Sequence, residues 1–129
     1  MLPEAVNIGR TRFNAFVAPD ESYLIVPAYG IPDTHGATDY YVVFRSADDA
    51  WSEAINLGDV VNTDGGSEYS AYVSPDGRAL FFMSARQDLA ARAPTPLTIA
   101  AMRELHASPG NGLSNIWWLD ASLLERLRP

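Results

Sequence analysis

Four short stretches of the chain are apolar or aromatic at every position. They are bounded by Gly, Pro, Asn or Asp and are rich in β-branched and aromatic residues, which is typical of β-strands. A strand with one solvated face would alternate between apolar and polar residues, so these strands are expected to be covered on both faces. The stretches are residues 24–26, 40–44, 80–83 and 116–119.

The chain also repeats itself. Three blocks recur in the same order, and the last recurs at a larger offset because the second copy carries a 20-residue insertion. Three matches in one order argue against chance similarity. The blocks are residues 3–9 with 52–58 at an offset of 49, residues 14–26 with 70–82 at an offset of 56, and residues 36–43 with 112–119 at an offset of 76.

Each copy is expected to form four strands, A to D. The A-to-B link of the second copy, Pro75-Asp76-Gly77, is typical of a tight hairpin, because Pro presets φ and Gly accepts a positive φ. Asp20 and Asp76 are expected to cap their own turns rather than to act as catalytic carboxylates. The predicted strands are A at 15–18 and 71–74, B at 23–26 and 79–83, C at 40–44 and 116–119, and D at 4–8 and 53–57.

These meanders predict an all-β fold of two four-stranded antiparallel β-propeller blades, in the strand order D-A-B-C-D-A-B-C. Radial repetition is favoured over a thick β-sandwich because meanders of similar spacing recur. The chain is expected to be one partial propeller unit, 1–129. Its parts are a first blade at about 10–58, a second blade at about 68–120, a helical insertion at about 95–108, and an N-terminal strand at 3–9 that completes a neighbouring blade.

The insertion is expected to be helical because it has a capping residue and an apolar stripe. Either Thr95 or Thr98 can cap it, and the helix is expected to pack over the rim of the blades. The stripe consists of Leu97, Ala101, Met102 and Leu105.

The Pro-Asp hairpins, each followed by an aromatic C strand, resemble the TolB-like, WD-type "Pro-Asp" β-propeller repeat. The resemblance covers nearly the whole chain and is strongest in residues 68–82 and 115–129. The first copy departs from the pattern at Glu21, which replaces the turn Gly, and at Pro27, which is expected to end strand B early. The resemblance implies a propeller, commonly six-bladed, used largely for protein or ligand binding, and it implies no particular reaction.

Two blades cannot close a ring, since roughly four to eight are needed. The unpaired last C strand and the apolar blade faces would be exposed, which soluble proteins avoid. One solution is head-to-tail self-association, in which residues 4–8 of each chain complete the last blade of a neighbour. Three chains would then supply six blades, so a cyclic homotrimer is preferred. The other solution is that the chain is the C-terminal piece of a longer propeller.

Long loops on a rigid scaffold are a common place for binding, and here the long loops are expected to share one face. That loop face is the expected site for an unknown protein or small-molecule ligand. An ion pair between Glu68 and an arginine of the channel wall is the alternative use of the polar residues there. The candidate ligand-binding residues are Arg12, Asn14, Glu68, Ser70 and Arg86.

A non-catalytic binding scaffold is the leading functional interpretation, and no catalytic residue is assigned. One alternative is a propeller hydrolase that acts on a glycan or peptide through Glu68 and Asp64. Another is a purely structural oligomer with a filled channel. Asp33, His35 and Asp39 are a weak basis for a metal site, so no metal or cofactor is expected.

Composition limits the partners. The net charge is −7 and the nine Lys and Arg residues are scattered, which argues against nucleic acid and anionic membranes. The chain has no Cys, so disulfides are excluded. No apolar run approaches the roughly 18 residues of a membrane span. The first ten residues lack the features of a signal peptide, so a cytoplasmic location is the default expectation.

Overall fold

The computed structural model describes residues 1–87 and 98–129. The strands of these residues form two antiparallel sheets, and the fold is all-β with few helices. The first sheet has the order β1-β3-β4-β5, with β2 also paired to β3, and the second has the order β6-β7-β8. The strands are β1 Thr11–Arg12, β2 Phe16–Val17, β3 Tyr23–Tyr29, β4 Asp39–Phe44, β5 Ile55–Asn56, β6 Glu68–Val73, β7 Ala79–Ser84 and β8 Asn115–Asp120.

The two sheets pair their strands in the same register. β2 pairs with β3 through Phe16 and Ile25, and β6 pairs with β7 through Tyr72 and Phe81, at the 56-residue offset of the sequence repeat. The six successive pairs between β3 and β4 match the six between β7 and β8 in the same way. The sequence repeat is therefore a structural repeat, and the predicted strands A, B and C are present in both copies with shifted ends.

Equivalent residues of the two repeats also touch one another. Three such pairs lie along β2, β6 and the residues just before β2, so the two sheets stand side by side with these strands adjacent. The pairs are Phe13 with Tyr69 (ring centroids 6.2 Å apart), Phe16 with Tyr72 (5.7 Å) and Asn14 with Ser70 (Nδ2 to Oγ, 2.9 Å).

The main hydrophobic core lies between the two sheets, which makes them one packed unit. Each fully buried aliphatic or aromatic side chain contributes about 1.5–3 kcal/mol to stability. The first sheet and the loop after it contribute Ile25, Tyr40, Val42, Phe44, Leu57 and Val61, and the rest of the chain contributes Val73, Leu80, Phe82, Ala121 and Leu124.

A second apolar cluster covers the opposite face of the first sheet. Leu24, Val26 and Val43 of the sheet pack there against Val6 of the N-terminal segment, which is only 5% exposed. Ile8 also packs against this cluster. Residues 3–9 therefore lie against the face of the first sheet that points away from the second.

Residues 4–8, expected as a strand that completes a neighbouring blade, form no strand within the single chain. The backbone N–H groups of Val6 and Asn7 both donate to the carbonyl of Pro3, at 3.1 Å, so the segment closes into a turn. A strand needs a neighbour to take its backbone hydrogen bonds, and here those bonds are made locally instead.

The expectation that Pro27 ends its strand was wrong, because β3 runs through Pro27 to Tyr29. Pro27 faces the break between β1 and β2, at the position where the ladder of the second sheet is irregular. Its equivalent, Met83, donates its N–H to the hydroxyl of Tyr40 (3.2 Å) rather than to a neighbouring strand. The position needs no ladder donor, so proline fits there.

Both hairpin aspartates cap their turns, as expected. Oδ1 of Asp20 accepts from the N–H and hydroxyl of Ser22 (3.1 and 2.8 Å), and Oδ1 of Asp76 accepts from the hydroxyl of Ser74 (2.6 Å). These hydrogen bonds lower the pKa of both carboxyls. The two carboxylates are therefore engaged in turn structure.

Helix α1 spans Ile99–Ala107 and is capped by Thr98, whose hydroxyl accepts from the N–H of Ala101 (3.1 Å). Residues 95–97 of the expected helix, including Leu97 of the stripe, lie outside the described residues. None of the helical residues is buried, and Met102 is 46% exposed. The helix therefore buries none of its residues against the blades, and its packing over the rim stays a prediction.

Helix α2, Ser122–Leu127, was not expected from the sequence. It follows β8 directly, and its Leu124 is buried in the main core. The leucines at 123, 124 and 127 have helical spacing and were the signal for it.

Candidate functional site

One face of the second sheet is apolar and open. Tyr72, Phe81 and Trp118 form a row across its three strands, and Ile116 lies two residues before Trp118. We call these four residues the free face. Their exposed fractions are 52% for Tyr72, 37% for Phe81, 79% for Ile116 and 70% for Trp118. Large contiguous apolar surfaces of this kind usually mark an interaction site.

Three of the four equivalent positions of the first sheet are fully buried, and the fourth, Phe16, is half-buried. Ile25, Tyr40 and Val42 occupy the repeat positions of Phe81, Ile116 and Trp118, and each is 0% exposed. They are buried because the second sheet packs on them. The free face thus has the residue pattern of a sheet-to-sheet interface and yet lies open.

Among the described residues, no strand pairs with the outer edge of the second sheet. β8 pairs with β7 and ends the strand order of its sheet. In the first sheet the equivalent strand, β4, carries β5 on that edge, through Tyr41 with Asn56 and Val42 with Ile55. An unpaired edge leaves backbone N–H and C=O groups that can add another strand.

Glu68, a predicted ligand-binding residue, is fully buried at the start of β6. Its Oε1 accepts hydrogen bonds from Thr63 Oγ1 (2.7 Å) and Ser84 Oγ (2.8 Å), whereas Oε2 has no partner. Burial raises the pKa of this carboxyl above its ordinary value. Glu68 therefore ties the loop before β6 to β7, and no part of it faces solvent.

Arg86 lies beside this network. Its guanidinium stacks over the rings of Phe82 (5.1 Å) and Trp117 (5.0 Å), and its Nη2 donates to the carbonyl of Val61 (2.8 Å). Burial lowers the pKa of this side chain. Among the ion pairs formed by described residues none involves Glu68, so the alternative of a Glu68–Arg bridge is not what the structure has.

The remaining predicted residues lie elsewhere. Asn14 donates to Ser70, and both are exposed. Nη1 of Arg12 donates to the carbonyls of residues 7, 8 and 9, at 3.2, 3.0 and 3.0 Å, and so holds the N-terminal segment. The five predicted residues therefore do not line one pocket.

The two carboxylates considered for hydrolysis do not share an opening. Asp64 has a side chain that is 96% exposed and lies 3.7 Å from Nδ1 of His35, whereas Glu68 is 0% exposed. Paired catalytic carboxylates must both reach the scissile bond. This arrangement does not favour a glycosidase.

The loop that carries Asp33, His35 and Asp39 uses its carboxylates for its own structure. Asp39 accepts from the N–H groups of His35 (2.7 Å) and Gly36 (3.2 Å), and Asp33 accepts from the hydroxyl of Tyr41 (3.0 Å). In residues 1–87 and 98–129 no group of three or more His, Asp or Glu has an arrangement that could hold a metal ion.

Among the clefts formed by described residues, two lie at opposite ends of the strands, and a third of about 360 Å³ lies beside Phe44, Trp51 and Arg128. One of about 540 Å³ lies between the two Pro-Asp hairpins and α2, with Arg78, Asp120 and Arg128 in its lining. A smaller one of about 250 Å³ lies on the loop face, beside Asp64 and Gly112. Sequence reasoning missed the larger cleft because α2 forms one of its walls.

No protein-family model, no curated protein and no solved structure was found to match this chain. In the described part of the chain no helix is long and apolar enough to cross a membrane.

Proposed function

We propose that this chain is a non-catalytic, protein-binding scaffold of β-propeller type. Its first partner is a second copy of the same chain, bound head to tail. The observation that carries the proposal is the contrast between the open free face and its buried equivalents in the first sheet. Two surfaces that are related by the sequence repeat and are equally apolar are expected to pack against the same kind of sheet.

The side-by-side contacts of equivalent residues support the comparison with propeller blades. Phe13 meets Tyr69 and Phe16 meets Tyr72, as expected when one unit follows the next by a small rotation. A third unit added in the same way would contact Tyr72 as the second unit contacts Phe16. Repeats of this kind are stabilised mainly by their nearest neighbours.

Three of the four residues of the free face are aromatic, which suits a specific contact. Aromatic residues at the centre of an interface commonly contribute at least about 2 kcal/mol each to binding. Trp118 lies beside Phe81 on the edge strand β8, two residues from Ile116, and has the largest side chain of the free face. We therefore assign it the largest single contribution.

A cyclic trimer is the assembly we favour, because three chains would supply the six blades that the family resemblance implies. The loop face and the hairpin cleft would then be repeated around the ring and remain open for a further protein or small ligand. The hydrolase alternative has no support from the placement of Glu68 and Asp64.

The test is the solution mass of the wild type and of Trp118→Glu by light scattering coupled to size exclusion. The wild type should approach about 42 kDa, three times the chain mass of 14.1 kDa, at concentrations near 100 µM. Trp118→Glu should weaken association at least about thirtyfold, the equivalent of about 2 kcal/mol.

The matched control is Val60→Glu, because Val60 is 66% exposed and lies outside the free face. It should leave the mass unchanged. A wild type that stays at the mass of one chain, or a Val60 variant that dissociates as readily as the Trp118 variant, would refute the proposal.

A further inference from the structure

We infer that the open edge of β8 is a strand-acceptor site, and that its occupant is residues 4–8 of a second copy, in one defined register. This inference rests on the proposed function, since it requires two copies to meet. It adds which segment binds, to which edge, and with which residues opposite one another.

The first sheet supplies the register. There β5 lies on the edge of β4, with Ile55 opposite Val42 and Asn56 opposite Tyr41. Val42 and Tyr41 are equivalent to Trp118 and Trp117 of β8, and the block at 52–58 is equivalent to residues 3–9. The same register therefore places Val6 of the second copy opposite Trp118, and Asn7 opposite Trp117.

The N-terminal segment already packs on the outer face of its own first sheet, which is the face that the proposed contact uses. Ile55 and Leu57, the equivalents of Val6 and Ile8, pack into the core between the two sheets while β5 pairs with β4. Val6 and Ile8 pack in the same way on the outer face of their own first sheet. When that face meets the free face of another copy, the segment lies at the edge of β8 without leaving its own sheet.

One buried donor near this edge fits the register. The indole Nε1–H of Trp117 is buried and has no acceptor, an arrangement that costs stability. Asn7, which the register places opposite Trp117, uses its Nδ2 to donate to the carbonyls of Leu2 and Pro3. Its Oδ1 is therefore the acceptor that we expect the Trp117 indole to use.

Strand addition to β8 requires the turn at Pro3 to Val6 to change into extended chain. Four local hydrogen bonds would be exchanged for bonds across to β8. Two are from the N–H groups of Val6 and Asn7 to Pro3, and two are from Nδ2 of Asn7 to the carbonyls of Leu2 and Pro3. The loss and gain are of the same kind, so the burial of the free face decides the balance.

Cysteine cross-linking tests the register directly, because the chain has no Cys of its own. In the first sheet the N–H of Leu57 donates to the carbonyl of Tyr40 (3.1 Å), so Ile8 is expected opposite Ile116. Cα atoms of such hydrogen-bonded antiparallel pairs are about 5.5 Å apart, which suits a disulfide.

The experiment mixes Ile8→Cys and Ile116→Cys chains in equal amounts under mild oxidation and identifies the linked peptides by mass spectrometry. The control mixes Ile8→Cys with Ile99→Cys, because Ile99 is 72% exposed, close to the 79% of Ile116, and lies on α1. The 8–116 disulfide should form at least tenfold faster than the 8–99 disulfide.

The outcomes separate the two proposals. If the wild type associates and depends on Trp118, but the 8–116 link forms no faster than the control, the strand register is wrong and the scaffold proposal stands. If the wild type does not associate at all, both proposals fail. A link from residue 8 to another position on β8 would also overturn the register.

Discussion

Replacement of Asn62 by alanine in the loop between β5 and β6 should strongly destabilise the fold. Asn62 is 1% exposed, and its Oδ1 accepts from the N–H of Tyr40 (2.8 Å). Its Nδ2 donates to the carbonyl of Tyr40 (3.1 Å) and to Oδ1 of Asn56 (2.7 Å). The side chain thus takes the place of a neighbouring strand beside the first residues of β4.

The magnitude follows from these three bonds. A hydrogen bond contributes about 1 kcal/mol net, so Asn62→Ala should lose about 3 kcal/mol. The buried N–H of Tyr40 would be left without its partner, whereas the carbonyl of Tyr40 would keep the hydrogen bond from the N–H of Leu57. With a urea slope of about 2 kcal/mol per molar, the unfolding midpoint should fall by about 1.5 M.

The assay is urea unfolding followed by tryptophan fluorescence, with Trp118→Glu in every chain so that association does not add to stability. Asn14→Ala is the control, since Asn14 is exposed and makes one hydrogen bond, to Ser70. It should change stability by no more than about 0.5 kcal/mol. A loss of less than about 1 kcal/mol for Asn62→Ala would refute the reasoning.

Two further predictions concern Glu68 and the hairpins. Burial raises the folded-state pKa of Glu68, so the stability that this carboxyl contributes is present in acid and is lost as the pH rises through that pKa. The urea midpoint of Glu68→Gln should therefore rise relative to that of the wild type as the pH rises from about 5 to about 8. A difference that does not change with pH would contradict this. Gly77 and Glu21 occupy the same turn position, with φ of 71° and 58°. Gly77→Ala should lower the free energy of unfolding by about 1 kcal/mol in thermal unfolding, because an L side chain is strained at positive φ. Glu21→Gly should cause no such loss. Equal losses for both variants would count against the strain argument.

The strands were predictable because apolar runs and turn residues close in sequence signal them. The 56-residue offset placed Phe16 and Tyr72 in equivalent strands of the two repeats, and the structure pairs them with the equivalent residues Ile25 and Phe81. The continuity of the apolar run at 40–44 correctly indicated a strand buried on both faces, since every residue of β4 is buried.

The polar candidates were not predictable because their roles depend on contacts between distant parts of the chain. Glu68 reads as a polar residue near a channel, yet Thr63 and Ser84 hold it inside. Arg12 reads as a loop-face residue, yet it binds the carbonyls of the N-terminal segment. Alternation along a strand cannot reveal such partners.

Hydrogen exchange at β8 tests the central claim most directly. Amide exchange in Asn115–Asp120 should slow as the chain concentration rises from about 1 µM to about 100 µM, because the edge and the free face become covered, and Trp118→Glu should abolish this dependence. Exchange in β8 that is the same at both concentrations, in a chain that nevertheless associates, would contradict the account by placing the contact elsewhere.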